Sequence, residues 1–388
     1  MLMEQRTIKI LFALLRSAIS GTELTDGERA LYLDEQLHEL MLLSRRHDVD
    51  HLVAFALRKN SLAEKSDANV EKTILKAVYR YERLNFEYKR LCTALEAAKI
   101  PFLPLKGSIL RDYYPEPWMR TSGDIDVLVH GENLERTVSY LVESLKYTEN
   151  GRGTHEVKLV SPLGNHFELH FDLVEEGRAN NAISVLASVW ENVTLREGSE
   201  CWYEMNDAFF YFYHVAHMAK HFENGGCGIR PFIDMWILDR LDDAGKAERD
   251  ELLSQGGLLK FADLSRKLSE VWFDDREPDT MSRQLQNFLL HGGVYGSFDN
   301  RVALQQKKKG GRLGYFMSRM FIPYSKLKRY YPVLEKYKWL MPVMQVRRWS
   351  MLLRPEIARM AKTEMSANIS MEKSKAKEMN DFLFNIGL

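Results

Sequence analysis

The sequence predicts an α+β fold in which a small mixed sheet is flanked by helical regions at both ends of the chain. Over the first hundred residues, apolar side chains recur at three- and four-residue steps, which is the spacing of helices. Between residues 101 and 200 the pattern changes to short apolar runs bounded by glycine and proline, which indicates strands. Helical spacing returns beyond residue 207. The chain has 388 residues, enough for several domains.

These patterns divide the chain into four predicted regions. They are an N-terminal helical module (1–100), a compact core (101–200), a second helical domain (201–305) and a basic, aromatic segment with a tail (306–388). The predicted elements, in order, are helical segments at 8–19, 30–60 and 69–100, a strand at 101–105, a helix at 109–113, a strand at 124–129, a helix at 133–146, strands at 156–161 and 166–173, and helices at 209–222 and 231–241. The residues 162–165 between the last two strands have the composition of a hairpin turn.

Cysteine content and hydropathy predict a cytoplasmic location. Cys92, Cys201 and Cys227 are odd in number and widely spaced, which favours reduced thiols over disulfides or a zinc site. The apolar stretch at 10–15 is short and is followed at once by Arg16, unlike a signal peptide. We expect no membrane-spanning segment, since no stretch approaches the roughly 20 apolar residues that such a helix needs.

The neutral formal charge hides an uneven distribution. Residues 301–354 contain 14 lysines and arginines against one acid, Glu335, while the rest of the chain carries 40 basic and 53 acidic residues. Aromatic residues are interleaved with the positive charges. Four interpretations stay open: a solvated face, a contact with anionic lipid, a nucleic-acid track, or docking on the acidic remainder of the chain.

The strongest local signal is an alternation of acid and apolar residues in the predicted strand 124–129. Side chains alternate between the faces of a strand, so Asp124 and Asp126 share one face while Ile125 and Val127 enter the core. Two neighbouring carboxylates repel each other unless a cation lies between them, and they suit Mg²⁺ or Mn²⁺. The alternative is an edge strand with solvated acids.

Two flanking features favour the metal interpretation. Gly107 and Ser108 close a strand and open a helix, where free backbone N–H groups and the helix dipole favour a phosphate. Downstream, Glu168 is an acid flanked by apolar residues, as on a neighbouring strand. His170 lies two residues further and shares its face, where it can order the carboxylate, contact a nucleotide or relay a proton.

Together these motifs resemble the DNA polymerase β-like nucleotidyltransferase superfamily, in which a glycine turn precedes two acids on one strand and a third on its neighbour. Within it, the chain is similar to an uncharacterised bacterial family, the nucleotidyltransferases of the fifth type. The matching stretches are Leu105-Lys106-Gly107-Ser108, Tyr113-Tyr114-Pro115, Arg120, residues 124–129, 167–170, 217–221 and 229–234. The interval between the glycine turn and the first acid is longer than in minimal superfamily members.

The resemblance implies an enzyme that moves a nucleoside monophosphate from an NTP, such as ATP, to an acceptor and releases pyrophosphate. Asp124, Asp126 and Glu168 would be its catalytic and metal-binding residues, with Mg²⁺ or Mn²⁺ as the cofactor in a two-metal displacement. The acceptor, which can be a small molecule, a protein or RNA, is not indicated. The predicted nucleotide-binding residues are Lys106, Gly107, Ser108, Arg120, His170 and, from the helical domain, Lys220.

Two hypotheses of other classes remain open. One is a catalytically silent protein of the same fold that binds nucleotides or polyanions as a scaffold. The other is a hydrolytic zinc centre, because strand alternation places His166, Glu168 and His170 on one face, near His155 and Glu156. The zinc hypothesis leaves the paired aspartates and the glycine turn without a role.

Overall fold

The chain forms two compact units, each with its own buried residues. The computed structural model describes residues 2–63, 68–174, 181–241, 245–294, 296, 298–370 and 373–388. The first unit comprises Met1–Met218 and Gly228–Val294, and the second comprises Ala219–Cys227 and Tyr295–Leu388. The predicted α+β fold is confirmed: a small mixed sheet has helices before and after it.

The first unit begins with helices α1 (Leu2–Ser20), α2 (Asp26–Arg29), α3 (Leu37–Arg46), α4 (Asp50–Lys59) and α5 (Ala68–Ala97). The segment 30–60 is predicted from its spacing as helical throughout, but residues 30–36 form turns before α3, and the helix is interrupted again between α3 and α4. Asp48 has a φ of 56°, in the left-handed region that ends a helix. Apolar periodicity continues across this break, so it does not reveal it.

Five strands form the central sheet: β1 (Phe102–Pro104), β2 (Asp124–Val129), β3 (Thr148–Arg152), β4 (Glu156–Val160) and β5 (His166–His170). Their order is β1-β2-β5-β4-β3, with β2 and β5 parallel and the other pairs antiparallel. Helix α6 (Gly107–Leu110) follows β1, and α7 (Leu134–Glu143) follows β2. Strand β3 is absent from the predicted elements.

The two faces of this sheet differ in chemistry because side chains alternate along each strand. One face packs into a core with α5 and α7, formed by apolar side chains that include Ile125, Val127, Phe167, Leu169 and Leu159. The opposite face carries the polar residues of the same strands. Burial of the apolar face therefore fixes which side chains point away from the core.

The predicted hairpin between β4 and β5 is present. Ser161 N–H donates to the Asn165 carbonyl, and Gly164 N–H donates to the Ser161 carbonyl, both at 2.9 Å. Gly164 has a φ of 78°, which residues with a side chain rarely adopt. This turn sets the pairing of β4 with β5.

The rest of the first unit is mainly helical. Its elements are α8 (Ala182–Ala187), the two-stranded sheet of β6 (Val193–Leu195) and β7 (Tyr203–Met205), α9 (Asp207–Glu223), α10 (Arg230–Leu238), α11 (Lys246–Gln255), α12 (Leu259–Phe273) and α13 (Thr280–Leu290). The 3₁₀ turns of this unit are Asp34–Gln36, Arg111–Tyr113, Pro117–Met119, Gly131–Asn133 and Val189–Glu191. Helix α9 continues past Met218, so its last turn belongs to the second unit.

The second unit is helical. Its helices are α14 (Phe298–Lys308), α15 (Arg312–Met320), α16 (Tyr324–Tyr330), α17 (Val333–Lys336), α18 (Met341–Ser350), α19 (Pro355–Ser370) and α20 (Lys373–Asn385), with 3₁₀ turns at Lys338–Leu340 and Met351–Leu353. Leu327, Leu334 and Met344 form a small buried cluster among α16, α17 and α18. Among the described helices, none combines the length and apolar character that crossing a bilayer requires.

Candidate active site

Strands β2 and β5 bring three carboxylates to the polar face of the sheet. In their parallel register Asp126 lies opposite Glu168, and Asp124 lies opposite His166. Residues in register share a face, and so do residues two apart on one strand. Asp124, Asp126 and Glu168 therefore lie on the same face, as the alternation predicts.

Asp126 is the most enclosed of the three acids, with 4 % of its surface exposed. Lys106 Nζ donates to Asp126 Oδ1 at 2.9 Å, and His170 Nε2 lies 3.0 Å from the same oxygen. Burial alone would raise the pKa of Asp126, but Lys106 and His170 hold it well below its usual range. Asp126 is thus ionised at neutral pH.

Asp124 has the opposite electrostatic balance. Burial, and next the negative charge of Asp126, raise its pKa to about 6, against the opposing effect of Lys106. Within the described part of the chain, no hydrogen bond or salt bridge to the Asp124 carboxylate is found. Its ionised form therefore lacks a cationic partner in contact with it.

The third acid, Glu168, contacts the neighbouring strand. Lys158 of β4 is paired with Glu168 in the sheet, and its Nζ donates to Glu168 Oε1 at 2.9 Å. His170 Nε2 lies 3.7 Å from Glu168 Oε2. Lys158 is not among the predicted site residues, although the alternation along the predicted strand 156–161 places it on the polar face.

These residues fit a divalent cation. Ligand atoms of Asp126, Glu168 and His170 all lie within 4.8 Å of one another, and Asp124 shares their face. Carboxylate oxygens are the ligands that Mg²⁺ and Mn²⁺ prefer. Burial, and next the charge of Asp126, raise the pKa of Asp124, and a bound cation would lower that pKa again by stabilising the ionised form.

The glycine turn lies directly beside the acids. Lys106, at the turn between β1 and α6, has a φ of 47°. A methyl group added at Gly107 would lie 3.0 Å from Ser122 Cβ, so the close approach favours glycine. The Ser108 hydroxyl is buried and has no hydrogen-bond partner among the residues that the structure describes. A buried hydroxyl in that state can donate to a ligand.

Arg111 ties the glycine turn to the loop before β2. Its Nε donates to the Gly107 carbonyl at 2.9 Å, and one terminal nitrogen donates to Ser122 Oγ at 3.0 Å. Only 2 % of Arg111 is exposed, so these bonds form in the interior. Arg111 is not among the predicted site residues, because nothing in its local sequence pattern indicates burial.

Arg120 lies in a different cluster from the three acids. Its Nε and one terminal nitrogen donate to both carboxylate oxygens of Asp234 at 2.7 and 2.9 Å, and Tyr114 Oη donates to the same carboxylate at 2.7 Å. We call Tyr114, Arg120 and Asp234 the Asp234 cluster. Since its guanidinium is occupied here, the structure gives Arg120 a structural contact; its predicted contact with a phosphate stays a prediction.

A second, partly buried ion pair, between Arg230 and Asp48, lies next to the Asp234 cluster. Arg230 donates to Asp48 Oδ2 at 2.5 Å and to the Thr121 carbonyl at 3.0 Å, while Thr121 Oγ1 donates to Asp48 at 3.0 Å. These bonds join α10 to the α3–α4 connection and to the loop before β2. Lys220 lies in the last turn of α9, in the second unit, and its predicted nucleotide contact stays a prediction.

Only some of the residues of the zinc hypothesis lie close together in the structure. Ligand atoms of His155, Glu156 and His170 lie within 4.8 Å of one another, with His155 Nε2 2.5 Å from Glu156 Oε2. The predicted trio of His166, Glu168 and His170 is not among the clusters found in the described residues. His170 belongs to both groups that are found, so it joins them along one face.

One protein family has a sequence profile that matches the chain, over residues 34–274, and its description is uncharacterised nucleotidyltransferase. The match covers the sheet, the three acids and helices α3 to α12. The chain belongs to this nucleotidyltransferase family. No curated protein and no solved structure matches the chain.

Family membership supports nucleotidyl transfer with an NTP as the substrate. The matched range includes both strands that carry Asp124, Asp126 and Glu168, together with the glycine turn. The segment beyond residue 274, with all of the basic stretch 301–354, lies outside it.

Proposed function

We propose that this nucleotidyltransferase carries out its reaction on the polar face of the central sheet. Asp124, Asp126 and Glu168 would hold Mg²⁺ or Mn²⁺, and a nucleoside monophosphate would pass from an NTP to an acceptor hydroxyl or phosphate. The observation that supports this most is the register of β2 with β5, which sets Asp126 opposite Glu168 with Asp124 on the same face.

The reaction is a displacement at the α-phosphorus of the NTP. An acceptor oxygen forms the new bond to the α-phosphorus, the bond from that phosphorus to the oxygen bridging the α- and β-phosphates breaks, and pyrophosphate leaves with the electron pair. When the acceptor is a hydroxyl, its proton passes to solvent. When bound, divalent ions lower the pKa of an acceptor hydroxyl and neutralise the leaving pyrophosphate. In the two-metal form of this proposal, Asp124 and Asp126 serve both ions and Glu168 serves the one nearer the acceptor.

The other side chains of the face have positioning roles in this proposal. His170 holds Asp126 through Oδ1, which fixes the direction of the remaining carboxylate oxygen. Lys106 places a positive charge beside Asp126, within the region that a triphosphate would occupy. The buried Ser108 hydroxyl would donate to a phosphate oxygen, because it has no partner in the described chain.

The acceptor can be identified by following the label of an α-labelled NTP. The protein is incubated with each α-labelled NTP, Mg²⁺ or Mn²⁺ and fractionated cell extract, and the molecule that takes up the label is isolated. We expect Asp126→Asn to lower the transfer rate by at least about two orders of magnitude while the fold is kept, since a metal ligand is lost. Asp263→Asn, on the exposed side of α12, is the matched control.

Equal transfer by wild type and Asp126→Asn would contradict the proposed site. Metal-dependent NTP binding without pyrophosphate release, with every acceptor fraction, would instead favour the silent scaffold. Tightly held zinc in the purified protein would favour the histidine-rich centre, because zinc prefers nitrogen and sulfur ligands.

A further inference from the structure

Helix α15 of the second unit exposes an apolar stripe. Leu313, Phe316 and Met317 lie at the i, i+3 and i+4 spacing of one helix face, and they are 73 %, 39 % and 44 % exposed. The aromatic ring of Tyr315, on the other side, is buried. A helix of a soluble protein normally has its apolar stripe facing the core. In α15, apolar side chains instead face solvent.

Helix α18 shows the same arrangement. Val343 and Val346 are 53 % and 58 % exposed, while Met344 and Gln345 between them are buried. The turns around α18 add Trp339 and Leu353, which are exposed as well. We call the exposed apolar and basic side chains of residues 312–354 the C-terminal surface.

The C-terminal surface rests on an ordered scaffold. Arg348 and Trp349 of α18 both donate side-chain hydrogen bonds to the Met320 carbonyl at the end of α15, at 2.7 and 2.8 Å. Gln345 donates to the Ile322 carbonyl at 2.6 Å. These bonds satisfy carbonyls at the end of α15 and fix α18 to it. The exposed apolar side chains are therefore held in place by specific contacts.

The charge of the C-terminal surface indicates which kind of partner it attracts. The exposed basic side chains among residues 312–354 include Lys326, Lys336, Lys338, Arg347 and Arg354. The single acid of this range is Glu335, which already lies 3.6 Å from Lys328. A surface with this balance attracts an anionic partner.

We propose that the C-terminal surface binds an anionic lipid bilayer, lying in the interface between headgroups and acyl chains. Interfacial helices combine exposed apolar side chains, which enter the acyl region, with lysine and arginine, which contact anionic headgroups. Nucleic acid would use the same charge but stacks on aromatic rings. Bases cannot stack on aliphatic side chains, and the surface exposes four of these, Leu313, Val343, Val346 and Leu353. These side chains therefore favour lipid over nucleic acid as the partner.

Vesicle flotation with the full-length protein tests this proposal. We expect it to float with vesicles that contain phosphatidylglycerol and to remain at the bottom of the gradient with vesicles of phosphatidylcholine alone. The charge-reversal variant Lys336→Glu/Lys338→Glu should bind the anionic vesicles at least about tenfold more weakly, since each basic residue near such a surface contributes roughly 1 kcal/mol. The apolar variant Leu313→Ser/Leu353→Ser should also lose about tenfold.

The matched controls lie on α5 of the first unit. Lys72→Glu/Lys76→Glu changes the same charge, and Leu75→Ser/Tyr79→Ser removes apolar side chains that are 58 % and 68 % exposed. Both controls should float like the wild type. Equal losses in the α5 and C-terminal variants would overturn the proposal. So would binding to single-stranded RNA without flotation, or flotation that the apolar variant leaves unchanged.

Discussion

Two aspartates of the first unit are almost equally buried, yet their surroundings differ. Asp234 is 1 % exposed and receives three hydrogen bonds, two from Arg120 and one from Tyr114. Asp126 is 4 % exposed, and Lys106 and His170 both contact its Oδ1. The carboxylate of Asp234 is fully engaged by the protein itself. Asp126 keeps one oxygen outside these contacts, which is the state expected of a ligand for something else.

The balance of acidic and basic side chains around each aspartate reinforces this difference. Asp234 and the nearby Asp48 are matched by two arginines, Arg120 and Arg230. Asp126 shares its face with Asp124 and Glu168, against Lys106 and Lys158. The second group has one carboxylate more than it has permanent cations, and burial together with the negative charge of Asp126 raises the pKa of Asp124. We infer that the first group stabilises the fold and the second binds a cation.

The largest expected effect on stability comes from opening the Asp234 cluster. Asp234→Ala leaves the Arg120 guanidinium buried without its partner, and we expect the free energy of unfolding to fall by about 3–5 kcal/mol. Urea denaturation at neutral pH measures this. The double variant Arg120→Met/Asp234→Leu should recover part of the loss, because it removes both charges together. A loss below about 1 kcal/mol would remove the distinction between the two clusters.

A substitution among the three acids of the polar face should change the free energy of unfolding in the opposite direction. Asp124→Asn removes a charge that is unfavourable in the metal-free fold, so we expect the free energy of unfolding to rise by about 1–3 kcal/mol at about pH 8. The measurement is urea denaturation in the presence of a chelator. Destabilisation by a similar amount would mean that Asp124 is a structural acid like Asp234.

The pH dependence of this gain identifies its cause. The pKa of Asp124 is about 6 in the folded chain and 3.8 ordinarily, so the folded state binds the proton more tightly. The penalty of ionised Asp124 is full above about pH 6, shrinks between about pH 6 and 4, and is absent below that. The difference between Asp124→Asn and wild type should follow this course. A difference that is constant with pH would point to a change in packing.

The smallest effect is expected at Lys158. Its side chain is 52 % exposed, and its ion pair with Glu168 lies partly in solvent. Lys158→Ala should therefore change the free energy of unfolding by less than about 1 kcal/mol. A loss as large as that of Asp234→Ala would show that the polar face is held together by its ion pairs, contrary to its role as a binding site.

Local patterns in the sequence predict much of this fold. The strand at 124–129 coincides with β2, and the helix at 209–222 lies within α9, because alternation and periodicity are properties of neighbouring residues. Strand β3 has the sequence Thr-Glu-Asn-Gly-Arg, and every one of its residues is exposed. Nothing local marks it as a strand; it becomes one by pairing with β4. That pairing depends on the fold as a whole.

The candidate site, like the fold, is predicted from the sequence only in part. That Asp124 and Asp126 share a face follows from strand alternation alone. Lys106 and Arg120 are both predicted as phosphate ligands, whereas in the structure each contacts a carboxylate. Lys106 contacts Asp126, which is 20 residues away along the chain, and Arg120 contacts Asp234, which is 114 residues away. Such partners are set by tertiary packing, which motif spacing does not encode. The metal and nucleotide roles remain predictions.

The central claim is that the three acids of the polar face bind a divalent cation together. Calorimetric titration of the metal-free protein with Mn²⁺, in the presence of a non-hydrolysable NTP analogue, tests it most directly. We expect saturable binding by the wild type, and a loss of at least about tenfold in affinity in Asp126→Asn and in Glu168→Gln. Binding that is equal in all three proteins, or absent from the wild type, would contradict the assignment of this face as the metal site.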